Sequence, residues 1–166
     1  TPENNDFMLV SQLWITGELY TRRPDLIGFV NGIPMIFIEL KWAGKNLKDA
    51  YYNNIKDYKD TIPQIFWYNA ILIISNGIES KIWAITSWFE HFNDWKKVSN
   101  ENESPKVSLE TILNWTCEQT RFLDIFENFT LFDESKWNII KIVARNHQYL
   151  WVNKALKNVA NRKELQ

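Results

Sequence analysis

The sequence predicts an α/β domain, a mixed central β-sheet flanked by helices, with a helical connector behind it. Three observations carry that expectation. DLIGFV (25–30) and IPMIFIELKW (33–42), rich in β-branched and aromatic residues, flank Asn31-Gly32, a strong hairpin signal. KNLKDAYYNNIKDYKDTI (45–62) then has the spacing of an amphipathic helix, and Pro63 stops it. YNAILIIS (68–75) is a continuous apolar run, as in a strand covered on both faces.

The remaining elements follow in order. DFMLVSQLWI (6–15) reads as a strand or a mixed apolar segment. Pro34 needs a ladder position without an N–H, such as a strand start or an edge. Asn76-Gly77 turns the chain into another strand, SKIWAITS (80–87). The order β-β-β-α-β-β indicates a mixed sheet with helices against it. VSNENESPKVS (98–108) is the one clear linker, so residues 1–97 form the α/β domain, 98–107 the linker and 108–166 the helical connector. Within the connector, Ser108 is placed to cap a helix over SLETILNWTCEQTRFLDIFENF, and a second helical pattern runs from about Lys136 to Arg162. There is no internal repeat and no low-complexity tract.

Composition sets the limits on function. At 166 residues the chain forms one medium domain, or a smaller one with an appendage. Hydrophobic residues at 45% and charged residues at 23% are ordinary for a globular protein. Aromatics are high at 15%, with nine tryptophans, which points to large core fillers ahead of a base-stacking surface. A net charge of −1 does not describe a strongly basic nucleic-acid binder, so any such grip must be local or come from a partner. Cys117 stands alone, which rules out an intrachain disulfide, points to a reducing compartment and reads as a core thiol. No apolar run reaches membrane-spanning length. The abrupt start, TPENNDFMLV with no initial Met, reads as a piece of a longer protein whose upstream part is missing.

Three charges interrupt segments otherwise suited to burial: Asp25, Glu39 and Lys41. Residues two apart on a strand share a face, so Glu39 and Lys41 lie together while Ile36, Ile38 and Leu40 occupy the other side. Taken alone, Glu-Leu-Lys describes a salt bridge at a strand end. Asp25, on the partner strand of the hairpin, brings a second carboxylate to the pair. Two hard oxygen ligands suit Mg²⁺, which keeps several waters and binds few protein groups. A lysine beside them can position an attacking water or offset charge on a phosphate. Such a set suits phosphodiester cleavage. Its geometry is conditional, however. Asp25 and Glu39 are fourteen residues apart, so they oppose one another only across an odd-length loop or past a β-bulge. A plain two-residue Asn-Gly turn would put them on opposite faces.

The spacing from RPD to ELK resembles the PD-(D/E)xK nuclease motif, and RRPDLIGFVNGIPMIFIELK is similar to the R (motor, HsdR) subunit of type I restriction enzymes. The similarity continues through NNIKDY, YNAILIISNGIESKIWAITSWFEHFNDW and ARNHQYLWVNKAL, covering nearly the whole chain. The resemblance implies a restriction-endonuclease-like fold and Mg²⁺-dependent cleavage of double-stranded DNA. It places the domain on an ATP-driven translocase, with modification and specificity subunits as partners, in the cytoplasm of a bacterium or archaeon. Carried over by position, Asp25 and Glu39 would be metal ligands together with the Leu40 carbonyl, and Lys41 the catalytic lysine. The family's Gln-x3-Tyr element, thought to support the nuclease site, corresponds to Asn54 and Tyr58. Their i, i+4 spacing places them on one helix face. Asn in place of Gln keeps the amide but shortens its reach by one methylene, and a plain helix-surface pair remains the other reading.

Other features carry less. Arg22, Arg23, Lys45 and Lys48 bracket the motif and can meet phosphates or form a solvated rim. His91 and His147 have no ligand-like neighbours, so zinc is not expected. There is no Gly-rich phosphate loop, so ATP would be used only in the full-length motor. Gln148 falls in the region that leads into the motor, near a nucleotide site on the resemblance, although helical packing also accounts for it. Two non-nuclease readings stay open: a non-catalytic domain docking the motor onto partner subunits, and a metal-independent DNA-binding module.

Overall fold

The computed structural model describes residues 1–91, 109–135 and 137–163. Strands β1 (Phe7–Ser11), β4 (Leu26–Val30), β5 (Ile33–Leu40), β6 (Ile71–Ser75) and β7 (Ser80–Trp83) form one sheet in the order β1-β4-β5-β6-β7. The β5–β6 pairing is parallel and the other three are antiparallel, so the sheet is mixed as expected. The parallel step follows from the sequence, because the helical stretch between β5 and β6 is long enough to cross back over the sheet.

That crossover comprises α1 (Leu47–Ala50), a π-helical turn over Tyr51–Ile55, and α2 (Lys56–Thr61). Asn46 caps it, its side chain accepting the Lys48 N–H at 2.8 Å. Leu47, Ala50, Ile55, Tyr58 and Ile62 pack on one face of the sheet, against Ile27, Phe37, Leu72 and Ile74. The opposite face is covered by α3 (Leu109–Thr116) and α4 (Gln119–Asn128). Ile112, Trp115, Phe122 and Ile125 meet Val30, Met35, Ile38, Ile71, Ile73 and Ile82 there. Every residue of β6 is buried, which explains its unbroken apolar run. Fully burying one such Ile side chain contributes about 1.5–3 kcal/mol.

Several expectations need adjustment. The segment read as 6–15 stops at Ser11, where Gln12 takes a left-handed φ of +55°, and a small hairpin follows, β2 (Ile15–Thr16) with β3 (Thr21–Arg22). The helical pattern from Lys136 to Arg162 is two different structures. Residues Ile140–Val143 form β9, paired antiparallel with β8 (Thr130–Asp133), and the helix α5 runs only over Asn146–Lys163. The β-branched run Ile139-Ile140-Lys141-Ile142-Val143 prefers the pleated form to the helix its spacing also permits. Lys136, Ser108 and the linker segment lie outside the described residues. Pro34 stands just after the turn, ahead of Ile36, where pairing with β6 begins.

Candidate active site

Asn31 and Gly32 both have positive φ, +52° and +78°, which makes a two-residue turn of the twisted hairpin type. Val30 pairs with Ile33 and Phe29 with Pro34, as a plain turn requires, but Gly28 pairs with Ile36. Met35 is therefore an extra residue in β5, a β-bulge that shifts the register by one. Ile27 then opposes Phe37 and Leu26 opposes Ile38, and the next step brings Asp25 level with Glu39. The turn alone would have separated the two acids. The bulge reunites them.

Each acid is held differently. Asp25, half-buried beyond the end of β4, accepts the Leu40 N–H on Oδ2 at 2.8 Å and the Gln12 side-chain amide on Oδ1 at 3.3 Å. The Gln12 backbone N–H also donates to the Asp25 carbonyl at 2.9 Å. Glu39 is only 2% exposed. Its Oε1 accepts both Lys41 Nζ at 2.6 Å and the Asn54 side-chain amide at 2.8 Å, while Oε2 is buried with no partner. Burial pushes the Glu39 carboxyl above its usual range, Lys41 opposes that, and the negative charge of Asp25 adds to it. Lys41 is anchored by its backbone N–H to the Ser75 carbonyl at 2.7 Å, and its side chain stays 22% exposed, so the ammonium reaches both Glu39 and solvent.

The helix pair also faces this cluster. Asn54, in the π-helical turn, touches Glu39 directly despite its short side chain. Such local widenings of a helix are frequent at functional sites. Tyr58 is buried four residues on, its ring tilted against Phe37 with centroids 5.7 Å apart. Burial, reinforced by the charge of Glu39, pushes its hydroxyl up to about 12, so it stays protonated at any physiological pH. The pair is thus on the sheet side of the helix, not its surface.

Among the flanking cations, Arg22 is engaged in a two-pronged contact with Asp57 at 2.6 and 2.9 Å, whereas Arg23, Lys45 and Lys48 are exposed. Gln148 accepts the Arg145 N–H at 2.7 Å at the start of α5, a local helix-end contact. The thiol of Cys117 is half-buried and its pKa is raised by that burial. Gln12 was not singled out by the sequence. A glutamine at the end of an apolar run carries no signal of its own, and only the left-handed backbone reveals its role.

Whether this pair suits a divalent ion turns on the free oxygen. Among the described residues no three or more His, Cys, Asp or Glu side chains gather into a metal-holding group. Mg²⁺ does not require one, since one or two carboxylates, waters and a substrate phosphate suffice. A buried carboxylate oxygen with no donor is costly, on the order of 1–3 kcal/mol or more. A cation beside Oε2 would remove that cost, so the donor set fits.

The family model described as Type I restriction enzyme R protein N terminus matches residues 1–91. The chain is 37% identical over 161 residues to a protein of Haemophilus influenzae named Type I restriction enzyme HindI endonuclease subunit, covering 92% of this chain and 15% of that protein. It is 29% identical over 177 residues to the Putative type I restriction enzyme MjaIXP endonuclease subunit of Methanocaldococcus jannaschii, covering 92% and 16%. With the Type I restriction enzyme SauCOLORF180P endonuclease subunit of Staphylococcus aureus it shares 32% over 150 residues, covering 90% and 14%. The chain thus spans 14 to 16% of the length of these relatives.

Proposed function

This chain belongs to the type I restriction enzyme R protein N-terminal family, and from that membership we propose that it is the endonuclease domain of such an enzyme. In this reading it hydrolyses phosphodiester bonds of double-stranded DNA in a Mg²⁺-dependent manner. It acts in the cytoplasm beside modification and specificity subunits, with ATP used by a motor outside this chain. No helix among the described residues is long and apolar enough to cross a membrane.

The observation that carries the reading is the bulge at Met35, which brings Asp25 and Glu39 level on the face that also presents Lys41. Asp25, Glu39 through Oε2, and the Leu40 carbonyl would hold the ion. When bound, the ion would lower the pKa of water to give a nucleophile at neutral pH and would offset charge on the phosphate. The chain's own residues do the rest. Gln12 and the Leu40 amide fix the Asp25 carboxylate, and Asn54 fixes Glu39 from the helix side. Lys41 puts a positive group, with one end in water, where negative charge develops on the attacked phosphate.

Lys41→Ala in the full-length subunit, assembled with its partners, tests this. Removing one preorganised charge contact lowers the rate roughly 10²-fold or more. Lys41 fills no core space, so assembly and ATP use are retained. Cleavage at the normal rate would refute the mechanism. Failure to assemble would favour the second reading, a docking domain, which the exposed apolar residues of α5, Trp151, Leu156 and Val159, also support.

A further inference from the structure

The geometry points to Arg23, set over the ring of Trp14, as the residue that grips a phosphate of the DNA strand beside the Asp25–Glu39 pair. This rests on the nuclease reading above and gives its substrate a specific contact. Asp25 and Glu39 set two carboxyl groups beside one ammonium, that of Lys41, which is already engaged by Glu39. The pocket offers a phosphate diester little attraction of its own, and the chain as a whole, at −1, supplies no general attraction. A local cation is required at the mouth of the site.

Four cations lie close in sequence, and the structure separates them. Arg22 is bound on both prongs by Asp57, and its guanidinium also covers Tyr20 at 5.0 Å from the ring centre. Lys48 leans over Tyr52 at 6.0 Å, and Lys45 follows the strand end on a loop. Arg23 has no carboxylate partner among the described residues. Its guanidinium lies over the indole of Trp14 at 5.1 Å from the ring centre, and Trp14 is itself 67% exposed. Two residues from Asp25, its backbone lies within about 7 Å of the acid's. Cation–π attraction holds a guanidinium over an aromatic ring without using up its N–H donors, which stay available to a phosphate.

The hairpin beneath the pair is packed closely against its neighbours. Trp14 enters the β2–β3 hairpin and Arg23 leaves it, and that hairpin is clamped onto the end of α2. A Cβ on Gly17 would stand 1.9 Å from the Thr61 carbonyl oxygen, so only glycine permits the approach. The Gln64 side chain donates to the Thr16 carbonyl at 3.1 Å, and the Arg22–Asp57 fork closes the other side. The exposed Trp–Arg pair thus stands at the base of a hairpin fixed against α2.

The test uses the 166-residue chain and a fluorescein-labelled 20-base-pair DNA duplex, with divalent ions chelated so that nothing is cut. Anisotropy is followed over a salt series. Arg23→Ala is expected to weaken binding about fivefold and to reduce the slope of log affinity against log salt by about one unit. Trp14→Ala should lose affinity with little change of slope, because the charge remains. Arg23→Lys should keep the slope and lose part of the affinity. Thermal melts of all variants should match the parent. No binding by the parent chain, or an unchanged slope and affinity in Arg23→Ala, would overturn the proposal. A duplex bound through Arg23 in a protein that never cuts would sink the nuclease reading alone. Full-rate cutting by an Arg23→Ala complex would sink only the phosphate grip.

Discussion

Asp25 reaches across its hairpin to Leu40, its Oδ2 accepting that amide N–H at 2.8 Å. The contact ties the first acid to the strand end that carries the second and the lysine. It also leaves Gln12 as the other donor holding Asp25 in place, on a backbone at φ +55° that non-glycine residues adopt at some cost.

Gln12→Gly separates strain from positioning. Glycine accepts this φ readily, so stability in urea should stay level or rise by up to about 1 kcal/mol. DNA cleavage by the assembled full-length enzyme should fall several-fold, because Oδ1 of Asp25 loses its donor. A variant that cuts normally would show that Leu40 alone orients the acid.

Glu39→Gln should abolish cleavage without unfolding the protein. The glutamine keeps the shape and relieves a buried carboxylate whose Oε2 has no partner, while Lys41 still reaches water. Stability measured by denaturant unfolding should lie within about 1 kcal/mol of the parent, or above it. A loss beyond about 2 kcal/mol would mean that the Glu39–Lys41 pair is chiefly structural.

The Asn54–Tyr58 face yields an ordering. Asn54→Ala removes a 2.8 Å hydrogen bond to Glu39, and cleavage should drop about tenfold, the equivalent of one such contact at about 1.4 kcal/mol. Tyr58→Phe leaves the ring on Phe37 and should reduce cutting less, with ATP hydrolysis intact in both. Assays of both activities on the full-length variants would show it. Unchanged cutting in Asn54→Ala would return the pair to a structural role.

Lys141 offers a pH-dependent check on the part of the fold after residue 108. It is buried, donates to the Asn69 carbonyl and sits over the Phe132 ring at 5.5 Å, and burial lowers its pKa below the usual 10.5. Between the folded value and 10.5 the unfolded chain therefore holds more protons, so unfolding free energy should rise with pH through that window. Lys59, also lowered by burial, adds a rise of the same sign, so thermal melts from neutral pH upward should climb more steeply in the parent than in Lys141→Met. Parallel curves would contradict the burial of the ammonium.

Much of this architecture was legible in the chain, for physical reasons. Asn31-Gly32 allows few backbone forms, and β6 is apolar from Ile71 to Ile74 because helices cover both its faces. Glu39 and Lys41 were readable because strand residues two apart share a face. The bulge was not. Met35 is as apolar as its neighbours, so nothing in IPMIFIE marks which residue lacks a partner, and only the need to bring two acids together made a bulge one of two options. The β2–β3 hairpin was missed because two-residue strands leave no periodic signal, and β9 because its apolar spacing also fits a helix turn.

Whether Asp25 and Glu39 jointly hold a divalent ion is decided by Mn²⁺ located by anomalous diffraction in crystals of this chain. One strong peak is expected, shared by an Asp25 carboxylate oxygen and the now unpartnered Oε2 of Glu39, at about 2.0–2.3 Å from each, and lost in Asp25→Asn. Millimolar Mn²⁺ that leaves this pair empty, or binds only elsewhere on the chain, would contradict it.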